Sequence, residues 1–321
     1  MNSLMVRDAT VADLPALEAL APRPFAGLPQ ATHEHLLVAQ DLGSARLLAC
    51  ARLRPAIGLA LPRHWYHVGC TVHAAAELSL FHLQRTLLLG NDHTGASELC
   101  HLATAADGVP LADQAGALRL VLQGALLLIA SRRAHYAPEL IAELPGLRDG
   151  AGCSPFWQGL GRHFFSGDPA AAEQRLGETW LSHVAALLPR QAVYTSFLPE
   201  AAQAAIAQVH HDALVQREVL EACGLQYGHH VTIDDAGPVL QADVDTLASV
   251  TQARAWTLAS GRLDDAVPHL VLAEGGPAGL RTARVKAAGH GSRLRMAPEA
   301  FALLQANVGD PVWALPLQTN G

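Results

Sequence analysis

Apolar positions along the chain recur at strand and helix spacings in turn. Leu4-Met5-Val6-Arg7 reads as a short first strand. Asp8-Ala9-Thr10 then leads into a helix over 11–21, with Leu14, Leu17 and Leu20 on one face. Thr10 is placed as its N-cap, with Asp13 three residues on as capping partner. Pro22, Pro24, Gly27 and Pro29 interrupt that helix. Residues 36–52, apolar with Gly43 near the middle, fit a hairpin or strand pair, and 65–72 reads as another strand. From Arg85 the pattern sharpens. Leu87-Leu88-Leu89 reaches a turn over 90–95, a strand over 97–103 follows, and an irregular loop over 104–116 precedes a strongly apolar helix over 117–133. Strand, loop, then helix N-terminus is the layout of a phosphate-cradling element.

Further on, 138–144 reads as a strand or helix end, and 152–165 is rich in aromatic residues. Helical periodicity covers 173–188, 199–208 and 213–223, the last stopped by Gly224. From about Leu247 the texture changes to short apolar runs separated by Gly, Pro and charge. Strands are expected at 267–272, 280–285 and 311–317, which marks a small β-rich C-terminal domain over 247–321 after a larger region over 1–246.

Composition narrows the function. Of the 321 residues, 50% are hydrophobic, enough for a sizeable core. The net charge of −7 argues against a nucleic-acid partner. The longest apolar stretch, 118–130, is broken by Arg119 and Gln123 and is too short to span a bilayer, so no membrane association is expected. The first residues lack the basic-then-apolar order of a signal peptide. Five scattered cysteines without CxxC spacing fit a reducing cytoplasm. The 17 histidines include the adjacent pairs His210-His211 and His229-His230, but neighbouring side chains diverge on a helix or strand. No HExxH occurs, and no metal is expected. GxSxG and GxxxxGK[ST] are also absent, and Gly159-Leu160-Gly161 lacks dinucleotide-site spacing.

The string Leu87-Leu88-Leu89-Gly90-Asn91-Asp92-His93-Thr94-Gly95-Ala96-Ser97-Glu98-Leu99-Cys100 resembles the signature of the bacterial arginine N-succinyltransferases, acyl-CoA-dependent enzymes related to the GNAT superfamily. Further matching pieces follow the family's order: Trp65-Tyr66 with Val68-Gly69-Cys70-Thr71-Val72-His73, then Ser154-Pro155-Phe156-Trp157-Gln158 with Leu160-Gly161 and Phe164-Phe165. Gln208-Val209-His210, Val219-Leu220-Glu221 and Gly237-Pro238 complete a resemblance that covers nearly the whole chain.

The resemblance implies a GNAT-like mixed sheet flanked by helices (an α/β, or α+β, fold) with a small C-terminal β-barrel-like domain. It implies transfer of the succinyl group of succinyl-CoA to the α-amino group of L-arginine, the first step of ammonia-producing arginine degradation. Succinyl-CoA is then a co-substrate, with no permanently bound cofactor. L-Ornithine is an alternative acceptor. Assembly as a homo- or hetero-oligomer with a homologous subunit is implied too, and a weak or inactive subunit supporting an active partner is the alternative reading. His210 stands where the family has its proposed proton donor, and Leu102 at its succinyl-CoA contact, acting through the backbone.

Each of these positions has a plainer reading. His210 also fits a helix-terminus histidine, and Leu102 a core strand residue. Asp92 and Glu98 are either ligands of the acceptor's cationic groups or structural, Asp92 by an Asx turn. The family's pyrophosphate-loop pattern, Gln/Arg-x-x-Gly-x-Gly/Ala, corresponds here to Asp113-Gln114-Ala115-Gly116-Ala117-Leu118. An acid stands at its first position, and a bulky Leu118 at its last is expected to hinder close approach of the backbone to phosphates.

Overall fold

A computed structural model describes residues 4–20, 27–177, 179–276 and 279–317. Alternating and apolar runs form fifteen strands among the described residues: β1 Leu4–Asp8, β2 His35–Asp41, β3 Leu47–Arg54, β4 Trp65–Ala75, β5 Leu80–Gly90, β6 Ser97–Thr104, β7 Glu139–Glu143, β8 Val193–Tyr194, β9 Gln226–Thr232, β10 Pro238–Asp243, β11 Arg254–Ala259, β12 Val267–Gly276, β13 Gly279–His290, β14 Arg293–Met296 and β15 Pro311–Pro316. One sheet runs β13-β1-β2-β3-β6-β7-β10-β9-β4-β5-β8. All of its pairings are antiparallel except β6 with β7.

The last five strands close on themselves as β12-β15-β11-β14-β13-β12, a five-stranded barrel filled by Leu258, Val271, Val285, Leu294, Met296 and Val312. The mixed sheet flanked by helices and the C-terminal barrel are both as expected. Strand β13 belongs to both units, pairing with β12 and β14 in the barrel and with β1 through Met5↔Ala283 and Val6↔Thr282.

One face of the sheet packs on the helix Leu111–Ser131. Its 21 residues make it long and apolar enough to cross a membrane, but it is a core helix, with 72% of its most apolar window buried inside the protein. It starts six residues before the expected 117. Leu111-Ala112-Asp113-Gln114-Ala115 are mostly good helix formers following Pro110, and Asp113 in the first turn suits the positive end of the helix dipole. Gly116 is carried inside the helix, so the irregular loop shrinks to 105–110.

A second core lies around Tyr66, Leu87, Phe156, Trp157 and Trp180. The segment expected as one helix over 173–188 is two, Pro169–Leu176 and Thr179–Ala185. Gly177, with φ of 57°, ends the first. The N-terminal helix runs Leu14–Leu20 after a 3₁₀ turn at Val11–Asp13. Expected Ala21 and the interrupting Pro22 and Pro24 lie outside the described residues.

Candidate active site

The candidate site lies where β6 and β7 part. These two strands pair only at Ser97↔Leu140 and Glu98↔Ile141. Beyond Glu98 the ladder ends, while β6 continues to Thr104 on its other neighbour, β3. That second ladder is itself interrupted. Arg52 faces Cys100 and Cys50 faces Ala103, so two residues, His101 and Leu102, stand opposite Ala51. This is a β-bulge, and His101 takes the left-handed backbone it requires, with φ of 51°. Cys50 Sγ donates to the His101 carbonyl at 3.4 Å. Leu102 is therefore on the bulge, beyond the point of separation, with a half-buried side chain packed against the core that contains Val209.

Charged side chains fix the point of separation. Glu98 is buried, and its carboxylate accepts from Arg54 at 3.2 Å and from Arg63 at 2.7 Å. Arg63 also donates to Glu143 at 2.6 Å, and Trp65 Nε1 donates to the same carboxylate at 2.5 Å. Glu34 links Arg52 and Arg54 at 2.9 and 3.4 Å. Glu98 is thus a structural counter-ion rather than a ligand awaiting a substrate cation. Ser97 Oγ donates to the Pro55 carbonyl and accepts from Ala137 N, tying the start of β6 to the segment before β7.

The connection from β6 to the long helix is also hydrogen-bonded. Thr104 Oγ1 donates to Gln114 Oε1 at 3.1 Å, and Gln114 Nε2 donates to the Val109 carbonyl at 2.8 Å. Asp113 is exposed at the helix start. Leu118 is completely buried in the core. It does not face the loop, so the expectation that its bulk obstructs phosphate approach is corrected. It lies on the buried face of the helix with Val121, Leu122 and Ala125, at i+3, i+4 and i+7.

His210 is held at the C-terminal end of β7, the same end toward which Leu102 lies on β6. Its backbone N donates to the Pro145 carbonyl at 2.8 Å, beside a bridge between Gly146 and Val209. A Cβ on Gly146 would meet the Asp235 carbonyl at 2.1 Å, so this crossing requires glycine. The His210 side chain caps a 3₁₀ turn over His211–Ala213, with Nδ1 accepting from Asp212 N at 3.3 Å. In a neutral ring with that hydrogen bond, the proton sits on Nε2. The ring is one-fifth exposed.

Asp92 is exposed, with a carboxylate oxygen 3.5 Å from His230 Nε2, while Thr94 N and Oγ1 close the turn on the Asn91 carbonyl. Sequence reasoning passed over the neighbours of this turn. His93 is buried, its Nδ1 donates to Glu139 at 3.1 Å, and its ring meets Trp65 and His230 at 5.0 and 4.4 Å between centroids. Burial first, and then the nearby His93, hold the His230 imidazole below its ordinary pKa. The only trace of this packing in the sequence is the position of His93 inside the signature string.

The family model described as arginine N-succinyltransferase beta subunit matches residues 25–249. The arginine N-succinyltransferase of Salmonella typhi is 34% identical over 315 residues, covering 97% of this chain and 89% of that protein. That of Salmonella newport is 33% identical over 314 residues with the same coverage. The arginine/ornithine succinyltransferase subunit AI of Pseudomonas aeruginosa superposes with a TM-score of 0.78, covering 99% of this chain and 100% of that one at 24% identity, a likeness of fold. Together these define an acyltransferase. The chain belongs to the arginine N-succinyltransferase family.

Proposed function

We propose that the chain moves the succinyl group of succinyl-CoA to the α-amino group of L-arginine, releasing CoA and N2-succinyl-L-arginine. The observation that carries this is the identity of 34% along 97% of the chain to an enzyme of that name. Attack of the neutral amine on the thioester carbonyl forms a tetrahedral oxyanion, and its collapse breaks the carbon–sulfur bond. The amine loses a proton and the departing sulfur gains one. An imidazole titrates close enough to neutrality to serve both transfers, and His210 is the side chain assigned to them. The backbone of Leu102, on the bulged part of β6 past its separation from β7, would pair with the pantetheine amides. The start of the long helix, at Leu111, would face the pyrophosphate.

In this reading residues 1–246 carry acyl transfer and 247–321 form the β-rich appendage, a division of roles. The chain works in the cytoplasm as a homo- or hetero-oligomer with a homologous subunit. Arginine is the preferred acceptor, with ornithine the competitor. A thiol-release assay with succinyl-CoA against arginine, ornithine and lysine tests the reaction, after correction for exposed Cys70 and Cys153. His210→Ala is expected to lower turnover by about 10²–10⁴-fold with the fold retained. An unchanged rate would remove His210 from the chemistry.

A further inference from the structure

The adjacent histidines His210 and His211 do not diverge as adjacent side chains on a regular element do. The chain is extended at His210, with φ of −58° and ψ of 142°, and enters a 3₁₀ turn at His211. That change of conformation brings the two rings to 4.2 Å between centroids. Asp212 closes the group. His211 Nε2 lies 2.9 Å from Asp212 Oδ1, and His210 Nδ1 lies 3.5 Å from Asp212 Oδ2. One donor atom from each of the three residues lies within 4.8 Å of the others.

We propose that His210, His211 and Asp212 form an inhibitory site for a borderline-soft divalent cation of the Zn²⁺ type. Ligand atoms of a tetrahedral zinc centre with bonds of about 2.0–2.1 Å stand roughly 3.3 Å apart, so the three donors, one from each residue and within 4.8 Å of one another, close on one ion by side-chain rotation. Two imidazole nitrogens and one carboxylate oxygen suit zinc, whereas Mg²⁺ and Ca²⁺ prefer all-oxygen shells. Three protein ligands leave a fourth position for water. His211 and Asp212 are 78% and 76% exposed as side chains, so the ion reaches them without opening the core. Competition for the His210 lone pair comes from the backbone N–H of Asp212 at 3.3 Å, a long hydrogen bond that a Lewis acid displaces. With the metal on Nδ1 and a proton on Nε2, the imidazole has no lone pair left to accept a proton. The inhibitory effect rests on the proton-transfer role proposed for His210, whereas metal binding does not.

The test uses tag-free full-length protein, ZnCl₂ as the probe and MgCl₂ as the control. Calorimetric titration should show one zinc equivalent bound by the wild type and lost in His211→Ala, with no heat from magnesium. In the thiol-release assay, saturating zinc should cut the wild-type rate toward the about 10²-fold or larger loss expected for an absent imidazole. His211→Ala should keep its basal rate and resist zinc. Absence of binding, or binding unaltered in His211→Ala, overturns the site and leaves the transferase reading standing. Binding that is lost in His211→Ala but spares the rate overturns the inhibition.

Discussion

Asp13 shows how much one side chain can settle. Its carboxylate accepts two hydrogen bonds from Arg7 at 2.7 and 2.8 Å and two more from Thr10 N and Oγ1. The Arg7 hydrogen bond chiefly, opposed by burial and reinforced by Thr10, brings its pKa down to about 2. A carboxylate lowered in the folded state stabilises above its unfolded pKa and loses that contribution as pH falls through the folded value. Asp13→Asn should therefore cost about 1–3 kcal/mol at neutral pH. The gap from wild type should close between pH ~4 and ~2, in denaturant melts followed across that range. A constant gap would rule out the ion pair as its source. The Thr10–Asp13 pairing was legible because capping is local in sequence. The charged chain from Glu34 through Glu98 to Glu143 was not, because its members meet only when β3, β6 and β7 are laid side by side.

Elements were legible where their period was clean. β1, β6, β7 and the hairpin of β2 with β3 lie close to their expected positions, because alternation and bounding turn residues are local signals. The long helix was located but begun too late, since Gly116, a poor helix former, lies inside its first turns. The first residues of β5 were missed as well. Leu80, Phe81 and Leu83 extend a ribbon with β4 and are exposed, so their pattern reports no burial. The inward position of Leu118 has a direct consequence. Leu118→Ala should destabilise the fold by about 2–5 kcal/mol through lost burial and a cavity. CoA affinity of the folded fraction should be unaffected. Tighter CoA binding without a loss of stability would restore the side chain to the phosphate site.

At the scale of the molecule, sequence texture marked a β-rich C-terminal part but not its closure. β11 and β14 were overlooked, and closure of the barrel rests on the pairings of β11 with β14 and β15 and of β12 with β15, between residues distant in the chain. The sharing of β13 governs cooperativity. Separating the barrel from the sheet breaks the β1 ladder and uncovers Thr282, which packs with Val6 near Gly124 of the long helix. Scanning calorimetry should accordingly record a single transition, with van't Hoff and calorimetric enthalpies equal. Two resolved peaks would show that the halves melt independently.

A strand shared by barrel and sheet, with three partner strands, also constrains how such a chain can be altered. An insertion or deletion of one residue in β13 reverses the inward and outward side chains of barrel and sheet at once. Only exchanges that keep the length of the segment leave both faces in phase.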